Sequence, residues 1–134
     1  MTCITEDSEG KIWFGTKRGV YILSKTDYEI RALADETIKS WTITTMTATS
    51  DGMIWISTNR HLFRNNASGE RAGKYILTWK GQENTVNSIY EDKKKKVWVT
   101  QAKGGLFCYD KVKDSFISYP WPYEEYPTSM TEDP

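Results

Sequence analysis

The sequence predicts an all-β protein in which one four-stranded unit occurs three times. The first observation is a repeat, because Trp13, Trp55 and Trp98 lie 42 and 43 residues apart in matching surroundings. The second is composition: aromatic residues make up 13% of the 134-residue chain, with nine glycines and four prolines, which favours strands and turns. The third is that no segment shows a sustained helical stripe, and the best helical candidate, residues 32–38, is short.

Each repeat divides into four short strands, which we label a to d in chain order. Strand a is a short apolar segment that ends in an acidic turn, as in residues 86–90. Strand b carries the tryptophan, and its alternation places Ile12 and Phe14 on one side, with Trp13 and Gly15 on the other. Strand c is predicted at residues 20–23, 62–63 and 106–109, and strand d at 28–33, 74–79 and 116–121.

The turn and core positions of the repeat have a physical explanation. An Asp followed shortly by Gly, such as Asp7 and Gly10, predicts a tight turn between strands a and b, since Asp bonds nearby backbone and Gly permits positive φ. The small residue two positions after the tryptophan, Gly15 in the first repeat, leaves room where sheets crowd together. We expect the repeated tryptophans to fill the space between neighbouring sheets, each burying roughly 200 Å²; they are Trp13, Trp55 and Trp98.

Four antiparallel strands in about forty residues, repeated, are typical of β-propeller blades. We predict one partial propeller domain over residues 1–134, with blades at about 1–40, 41–82 and 83–125 and the first strand of a fourth at 126–134. Closed propellers have about four to eight blades, so three blades leave two open flanks. We expect further blades of a parent chain or self-association to cover them, two copies giving six blades.

The motif in residues 7–21, Asp-x-x-Gly-x-Ile-Trp-Phe-Gly-Thr followed by Gly-Val-Tyr, resembles the two-component regulator propeller repeat. The later repeats depart from it in the turn, with Asp51 beside Gly52 and Lys95 in place of the glycine. The resemblance implies the periplasmic sensor half of a bacterial hybrid histidine kinase, in a family that often controls polysaccharide use. It therefore implies a non-catalytic segment that senses carbohydrate, with the kinase chemistry elsewhere in the parent protein.

Other propeller families fit less well. The Gly-His and Trp-Asp pairs of WD repeats do not occur, and only the second repeat resembles the Asp-box of sialidases. A metal-dependent lyase would need several ligands, whereas the chain has one histidine, His61, and we expect neither enzyme activity nor a cofactor. With 18 basic and 18 acidic residues and no long apolar run, we also expect no nucleic-acid partner and no membrane insertion of this segment.

A second group of tryptophans supplies the candidate ligand site. Trp41, Trp79 and Trp121 lie at or beyond strand d, where the d–a connections begin. In a propeller these connections share one face with the b–c loops, and tryptophan rings stack on sugars beside hydrogen-bonding side chains. The alternative is that these tryptophans only seal blade edges or an interdomain contact in a scaffold without a small ligand. The polar candidates in the b–c loops are Arg18, Asn59 and Arg60, with Lys17, Gln101 and Lys103 nearby.

The remaining chemical groups have simpler interpretations. The acidic pairs at residues 6–7, 91–92 and 132–133 recur once per repeat, which is typical of turn residues rather than of catalytic carboxylates. The lysine run at residues 93–96 lies in the same turn and is expected to be solvated. His61 lies in a b–c loop, and Cys3 and Cys108 are expected to be small buried apolar residues.

Overall fold

The computed structural model describes residues 3–35, 38–39, 41–59, 61–79, 82–83, 86–101 and 105–119. These residues form three four-stranded antiparallel sheets, each with its strands hydrogen-bonded in chain order. The predicted all-β fold with three four-stranded blades is confirmed. The first strand predicted for a fourth blade, at 126–134, lies outside the described residues.

The three sheets repeat the same arrangement. Sheet 1 contains β1 (Cys3–Glu6), β2 (Ile12–Thr16), β3 (Gly19–Leu23) and β4 (Ile30–Ala32). Sheet 2 contains β5 (Ile43–Ala48), β6 (Met53–Thr58), β7 (Leu62–Asn66) and β8 (Arg71–Tyr75). A short two-stranded ribbon, β9 (Thr78–Trp79) with β10 (Gln82–Glu83), follows. Sheet 3 contains β11 (Val86–Glu91), β12 (Val97–Gln101), β13 (Leu106–Asp110) and β14 (Ser115–Tyr119).

The fourth strand of sheet 2 starts earlier than the sequence predicts. Residues 74–79 were expected to form one strand, but β8 covers Arg71–Tyr75 and residues 78–79 pair with 82–83 instead. The cause is a tight turn after β7, in which the Asn66 side chain accepts hydrogen bonds from Ser68 N and Glu70 N. Gly69 adopts φ +90° in that turn, so the chain reverses within four residues and pairing resumes at Arg71.

The a–b turns are built from the aspartates of the motif. Asp7 Oδ1 accepts hydrogen bonds from Glu9 N and Lys11 N, both at 2.9 Å, and Asp7 Oδ2 accepts one from Trp13 Nε1 at 2.8 Å. The carboxylate thus fixes the turn and the indole of the next strand at once. Asp92 and Trp98 repeat the arrangement in sheet 3, with a 2.9 Å indole hydrogen bond.

Two hydrophobic clusters join the sheets in series. Between sheets 1 and 2, Trp13 and Val20 pack against a set of branched and aromatic side chains: Ile54, Ile56 and Phe63. Between sheets 2 and 3, Trp55, Leu62 and Tyr75 pack against the corresponding set, Val97, Val99 and Phe107. In both interfaces the tryptophan side of one sheet therefore meets the aliphatic side of the next sheet in the chain.

Trp98 differs from its two counterparts. Trp13 and Trp55 are 0% and 1% exposed, whereas Trp98 is only half-buried. It lies on the side of sheet 3 that faces away from sheet 2, in register with Tyr90 and Cys108. The expectation that all three tryptophans are core residues is wrong for Trp98, because no described sheet packs on that side.

Candidate functional site

The b–c turns of sheets 1 and 2 and the connection between those sheets lie together at one end of the molecule. Gly19 N donates to Trp41 O at 2.9 Å, and Thr42 Oγ1 donates to Lys17 O at 3.1 Å. Asn59 N donates to Thr42 O at 3.3 Å, which links the second b–c turn to the same connection. These hydrogen bonds place the predicted site residues Arg18, Trp41 and Asn59 on a shared surface, which we call the b–c face.

A threonine at the end of each strand b shapes the two turns. Thr16 Oγ1 donates to Gly19 O at 2.9 Å and accepts from Arg18 N at 3.0 Å. Thr58 Oγ1 does the same with His61, donating to its carbonyl and accepting from its N–H at 3.0 Å. Each turn is therefore stabilised by hydrogen bonds of its own threonine hydroxyl. The side chains of Arg18 and Asn59 are exposed to solvent.

Trp41 is already stacked on a neighbouring ring. Its indole and the imidazole of His61 lie nearly parallel, 17° apart, with ring centroids separated by 5.3 Å. His61 in turn meets Phe63 edge to face at 6.1 Å, which connects the stack to the core between sheets 1 and 2. Trp41 is half-buried, so one side of the ring is used for packing and the ring is held in a fixed orientation.

The other predicted site residues are placed less completely. Trp79 lies in the two-residue strand β9, and its side chain is not described, while Arg60 and Trp121 lie outside the described residues. Gln101 is excluded as a ligand group on the b–c face, because it is fully buried and donates through Nε2 to Leu77 O at 2.9 Å. The sequence pattern could not predict this, since Leu77 approaches Gln101 only in the folded chain.

The cysteines occupy interior positions. Cys108 is buried and Cys3 is half-buried, and neither forms a disulfide. Burial raises the pKa of the Cys108 thiol, which disfavours the reactive thiolate. Among the residues that the structure describes, no three His, Cys, Asp or Glu side chains are grouped so that they could hold a metal ion.

Sequence reasoning missed a polar and aromatic cluster on the interface between sheets 2 and 3. The Arg64 guanidinium lies 5.4 Å from the ring centroid of Tyr109 and 5.9 Å from that of Trp55. Asp114 accepts hydrogen bonds from the hydroxyls of Tyr75 and Tyr109, the latter at 2.6 Å. These two hydrogen bonds hold the pKa of the Asp114 carboxyl below its usual range. The sequence indicated only that aromatic residues are abundant and that Trp55 belongs to a repeat; no motif marked Arg64 or Asp114.

A cavity of about 370 Å³ opens beside this cluster, at the end of the sheets that carries the a–b and c–d turns. Its charged lining is balanced between carboxylates and lysines, which are Asp51, Glu91 and Asp110 and Lys95, Lys96 and Lys111. These charges balance, and the rest of the lining includes the apolar residues Trp55, Val97 and Ile117. The cavity lies at the end opposite the b–c face.

Comparison with protein families supports the resemblance drawn from the first repeat. Residues 1–18 match the family model of the two component regulator propeller. The resemblance to two-component regulator propellers is confirmed. The matched stretch of this chain contains Asp7, Gly10 and Trp13, which are joined by hydrogen bonds at the first a–b turn. No curated protein sequence matches the chain.

A solved structure from a hybrid two component system is similar to this chain. The extracellular domain assigned to a hybrid two component system of B. thetaiotaomicron, BT3049, is 25% identical and superposes with a TM-score of 0.66. The match covers 87% of this chain but 16% of that domain, so this chain spans about a sixth of its relative. This relative is an extracellular domain. In this chain, no helix among the described residues is long and apolar enough to cross a membrane.

Two more distant structures share the fold alone. A virginiamycin B lyase of Staphylococcus aureus is 20% identical with a TM-score of 0.70, covering 92% of this chain and 42% of the lyase. The Dos1 propeller is 12% identical with a TM-score of 0.64, covering 90% of this chain and 34% of that protein. Both show that the three sheets are arranged as neighbouring propeller blades.

Proposed function

We propose that this chain is a non-catalytic sensory segment of a hybrid two-component system, located in the periplasm, which binds carbohydrate on the b–c face. The proposal is supported by the family match over residues 1–18 and by the similarity to an extracellular domain of a hybrid two component system. Coupling to a histidine kinase elsewhere in a longer protein belongs to the same proposal.

The geometry of the b–c face supports a sugar ligand. Trp41 presents an indole fixed by its stack on His61, and a rigid aromatic plane loses little conformational entropy when a sugar ring packs on it. Arg18 and Asn59 are exposed beside it and offer hydrogen-bond donors and an acceptor to hydroxyl groups. The described side chains of this face, Arg18, Trp41 and Asn59, offer an aromatic ring and hydrogen-bonding groups, and binding is therefore the activity proposed.

Thermal unfolding of the chain with a panel of neutral and acidic oligosaccharides tests the ligand. A ligand that binds only the folded state stabilises it by about 2.7 kcal/mol when its free concentration is about 100 times its Kd. We expect Trp41→Ala and Arg18→Ala to abolish the increase in Tm. Tyr28→Ala is the matched control, since Tyr28 is an aromatic residue 75% exposed at the opposite end of the sheets.

Kinase coupling requires the longer protein. We expect an oligosaccharide that stabilises this segment to change autophosphorylation of the parent, and we expect Trp41→Ala to remove that response. Binding without any change in phosphorylation would contradict the coupling but leave the ligand proposal intact.

The second candidate function is a scaffold that binds another protein and no small ligand. The observation in its favour is that one side of the Trp41 ring is already covered by His61. If no oligosaccharide raises the Tm, and Trp41→Ala lowers the stability of the free chain substantially, the ring is a packing residue and the scaffold function is preferred.

A further inference from the structure

Positive charge is concentrated in the connections that belong to the end of the b–c face. The segments that join strand b to strand c, or one sheet to the next, are residues 17–18, 33–42, 59–61, 76–85 and 102–105. In the sequence these segments contain six basic residues against three acidic ones, although the whole chain is neutral. The basic residues are Lys17, Arg18, Lys39, Arg60, Lys80 and Lys103, and the acidic residues are Asp35, Glu36 and Glu83.

The opposite end of the sheets has no such excess. The a–b and c–d turns with their adjoining strand ends are residues 6–12, 23–30, 48–53, 66–71, 91–97 and 110–115. These segments contain eleven acidic residues against nine basic ones. Because charges act mainly within a Debye length of about 8–10 Å, an anion near the molecule is attracted to the b–c face and not to the other end.

Backbone contacts hold three of these cations around Trp41. Gly19 N donates to Trp41 O at 2.9 Å, and a Cβ on Gly19 would lie only 2.9 Å from Lys39 O. Gly19, at φ +90°, thus lets the first b–c turn cross directly against the connection between sheets 1 and 2. Lys17 and Arg18, which precede it, and Lys39 are all exposed to solvent beside the indole.

The carboxylate of Asp35 does not offset the charge of these cations. It accepts hydrogen bonds from Arg71 Nε at 2.9 Å and from Arg71 Nη2 at 2.6 Å, in a bidentate ion pair. Its side chain is only 9% exposed. The Asp35 carboxylate is therefore compensated by a guanidinium group of β8, and the positive charge around Trp41 is directed to solvent.

A saccharide with acid groups matches these side chains better than a neutral one. An arginine can donate two parallel hydrogen bonds to an oxyanion, and such charge-assisted bonds are about twice as strong as those between neutral groups. A neutral saccharide can use the Trp41 ring and the Asn59 amide, but it gains nothing from the excess positive charge. An anion without sugar rings gains the charge but leaves the Trp41 ring unused.

We infer that the ligand of the b–c face is an acidic saccharide, whose sugar rings carry carboxylate or sulfate groups. The acid groups bind the guanidinium of Arg18 and the ammonium groups of Lys17 and Lys39, while a ring packs on Trp41. This inference rests on the proposed function, because it requires a saccharide site on this face, and it narrows the ligand to one chemical class.

Titration calorimetry with two matched pairs of ligands tests the inference. One pair is an oligogalacturonate and the same oligosaccharide with its carboxyl groups methyl-esterified, and the other is a dextran oligosaccharide with and without sulfate groups. We expect the acidic member of at least one pair to bind about tenfold tighter or more than its neutral partner. Its affinity should fall as the NaCl concentration rises, and the pair that shows the difference identifies the acid group.

Variants of the exposed cations locate the binding site. Lys17→Gln and Arg18→Gln should each weaken binding of the acidic member by about tenfold and reduce its dependence on salt. Their Tm without ligand should not change, because both side chains are exposed. Lys113→Gln is the matched control, since it removes the same charge from an exposed position in a c–d turn at the opposite end. Its affinity should equal that of the unmodified chain.

Each other outcome overturns the inference in a different way. Equal affinity for the charged and uncharged members would overturn it and leave the carbohydrate function intact, whereas no binding of any saccharide would overturn both. Acidic binding that is unchanged in Lys17→Gln and Arg18→Gln would place the ligand elsewhere. A polyglutamate peptide that binds as tightly, with no effect of Trp41→Ala, would show that the face recognises charge without a sugar.

Discussion

The hydrogen bond between Asp7 and Trp13 provides the most specific test of how the repeat motif stabilises a blade. The indole N–H donates to Asp7 Oδ2 at 2.8 Å, Trp13 is 0% exposed and Asp7 is 6% exposed. Water therefore cannot replace either partner. In Asp7→Asn, the amide oxygen can still accept the backbone N–H groups of the turn, but the amide NH₂ then faces the indole N–H.

The magnitude follows from these contacts. A hydrogen bond to a charged group contributes about 1.5–3 kcal/mol, and leaving a buried donor unsatisfied costs about 1–3 kcal/mol. We expect Asp7→Asn to lower the free energy of unfolding by about 2–4 kcal/mol. In a Trp13→Phe background the donor is absent, so the same substitution should cost much less, giving a coupling energy of about 2 kcal/mol.

Urea unfolding followed by circular dichroism measures the four free energies of this double-mutant cycle. Fluorescence is unsuitable because the cycle removes a tryptophan. The Lys11 ammonium, 3.9 Å from Asp7 Oδ2, is present in both backgrounds, so its contribution cancels in the coupling energy. An equal cost of Asp7→Asn with Trp13 and with Phe would refute the claim that the carboxylate acts through the indole.

Three further predictions concern single positions, each measured by urea unfolding of dilute protein. Gly15→Ala should cost about 1–3 kcal/mol by overpacking, since a Cβ there would lie 2.7 Å from Ile43 Cγ2, and an unchanged stability would contradict the tight blade contact. Trp55→Ala should cost about 3–5 kcal/mol, and a cost near zero would disprove its role in joining sheets 2 and 3. The hydrogen bond that Trp98 donates is the main cause that lowers the pKa of Asp92 below 3.8. The free energy that the ionised carboxylate contributes to folding should therefore be present above pH 3.8 and lost as the pH falls through the lower pKa of the folded chain. Asp92→Ala should remove this acid dependence.

The sequence was most informative about the local structure of each repeat. The alternation in β2 correctly placed Trp13 and Gly15 on the buried side, because side-chain direction in a strand depends only on position. The a–b turns were also predictable, since an aspartate bonds backbone only a few residues away. The start of a strand was less predictable, as the shift of strand d in sheet 2 shows, because it depends on the turn before it, which here is closed by the side chain of Asn66.

The candidate site was only partly predictable for a related reason. The sequence predicted that the b–c turns share one face with the d–a connections, which the contacts of Trp41 and Thr42 bear out for the first two sheets. It contains no information on which rings meet there. Trp41 and His61 are twenty positions apart, and their stack depends on how two blades are placed side by side. The same is true of Gln101, which the sequence analysis placed in a b–c loop but which ends β12 and is buried against Leu77.

The sequence by itself determined the repeat, the strand pattern and the motif that relates this chain to two-component regulator propellers, because each depends on residues close together in the chain. Only the tertiary structure decided that Trp98 is half-buried while its counterparts are fully buried, and that Arg64 meets Asp114 across two sheets. The physical reason is that burial depends on the neighbouring sheet. Three related motifs acquire different environments because, among the described residues, a following sheet packs on only two of them.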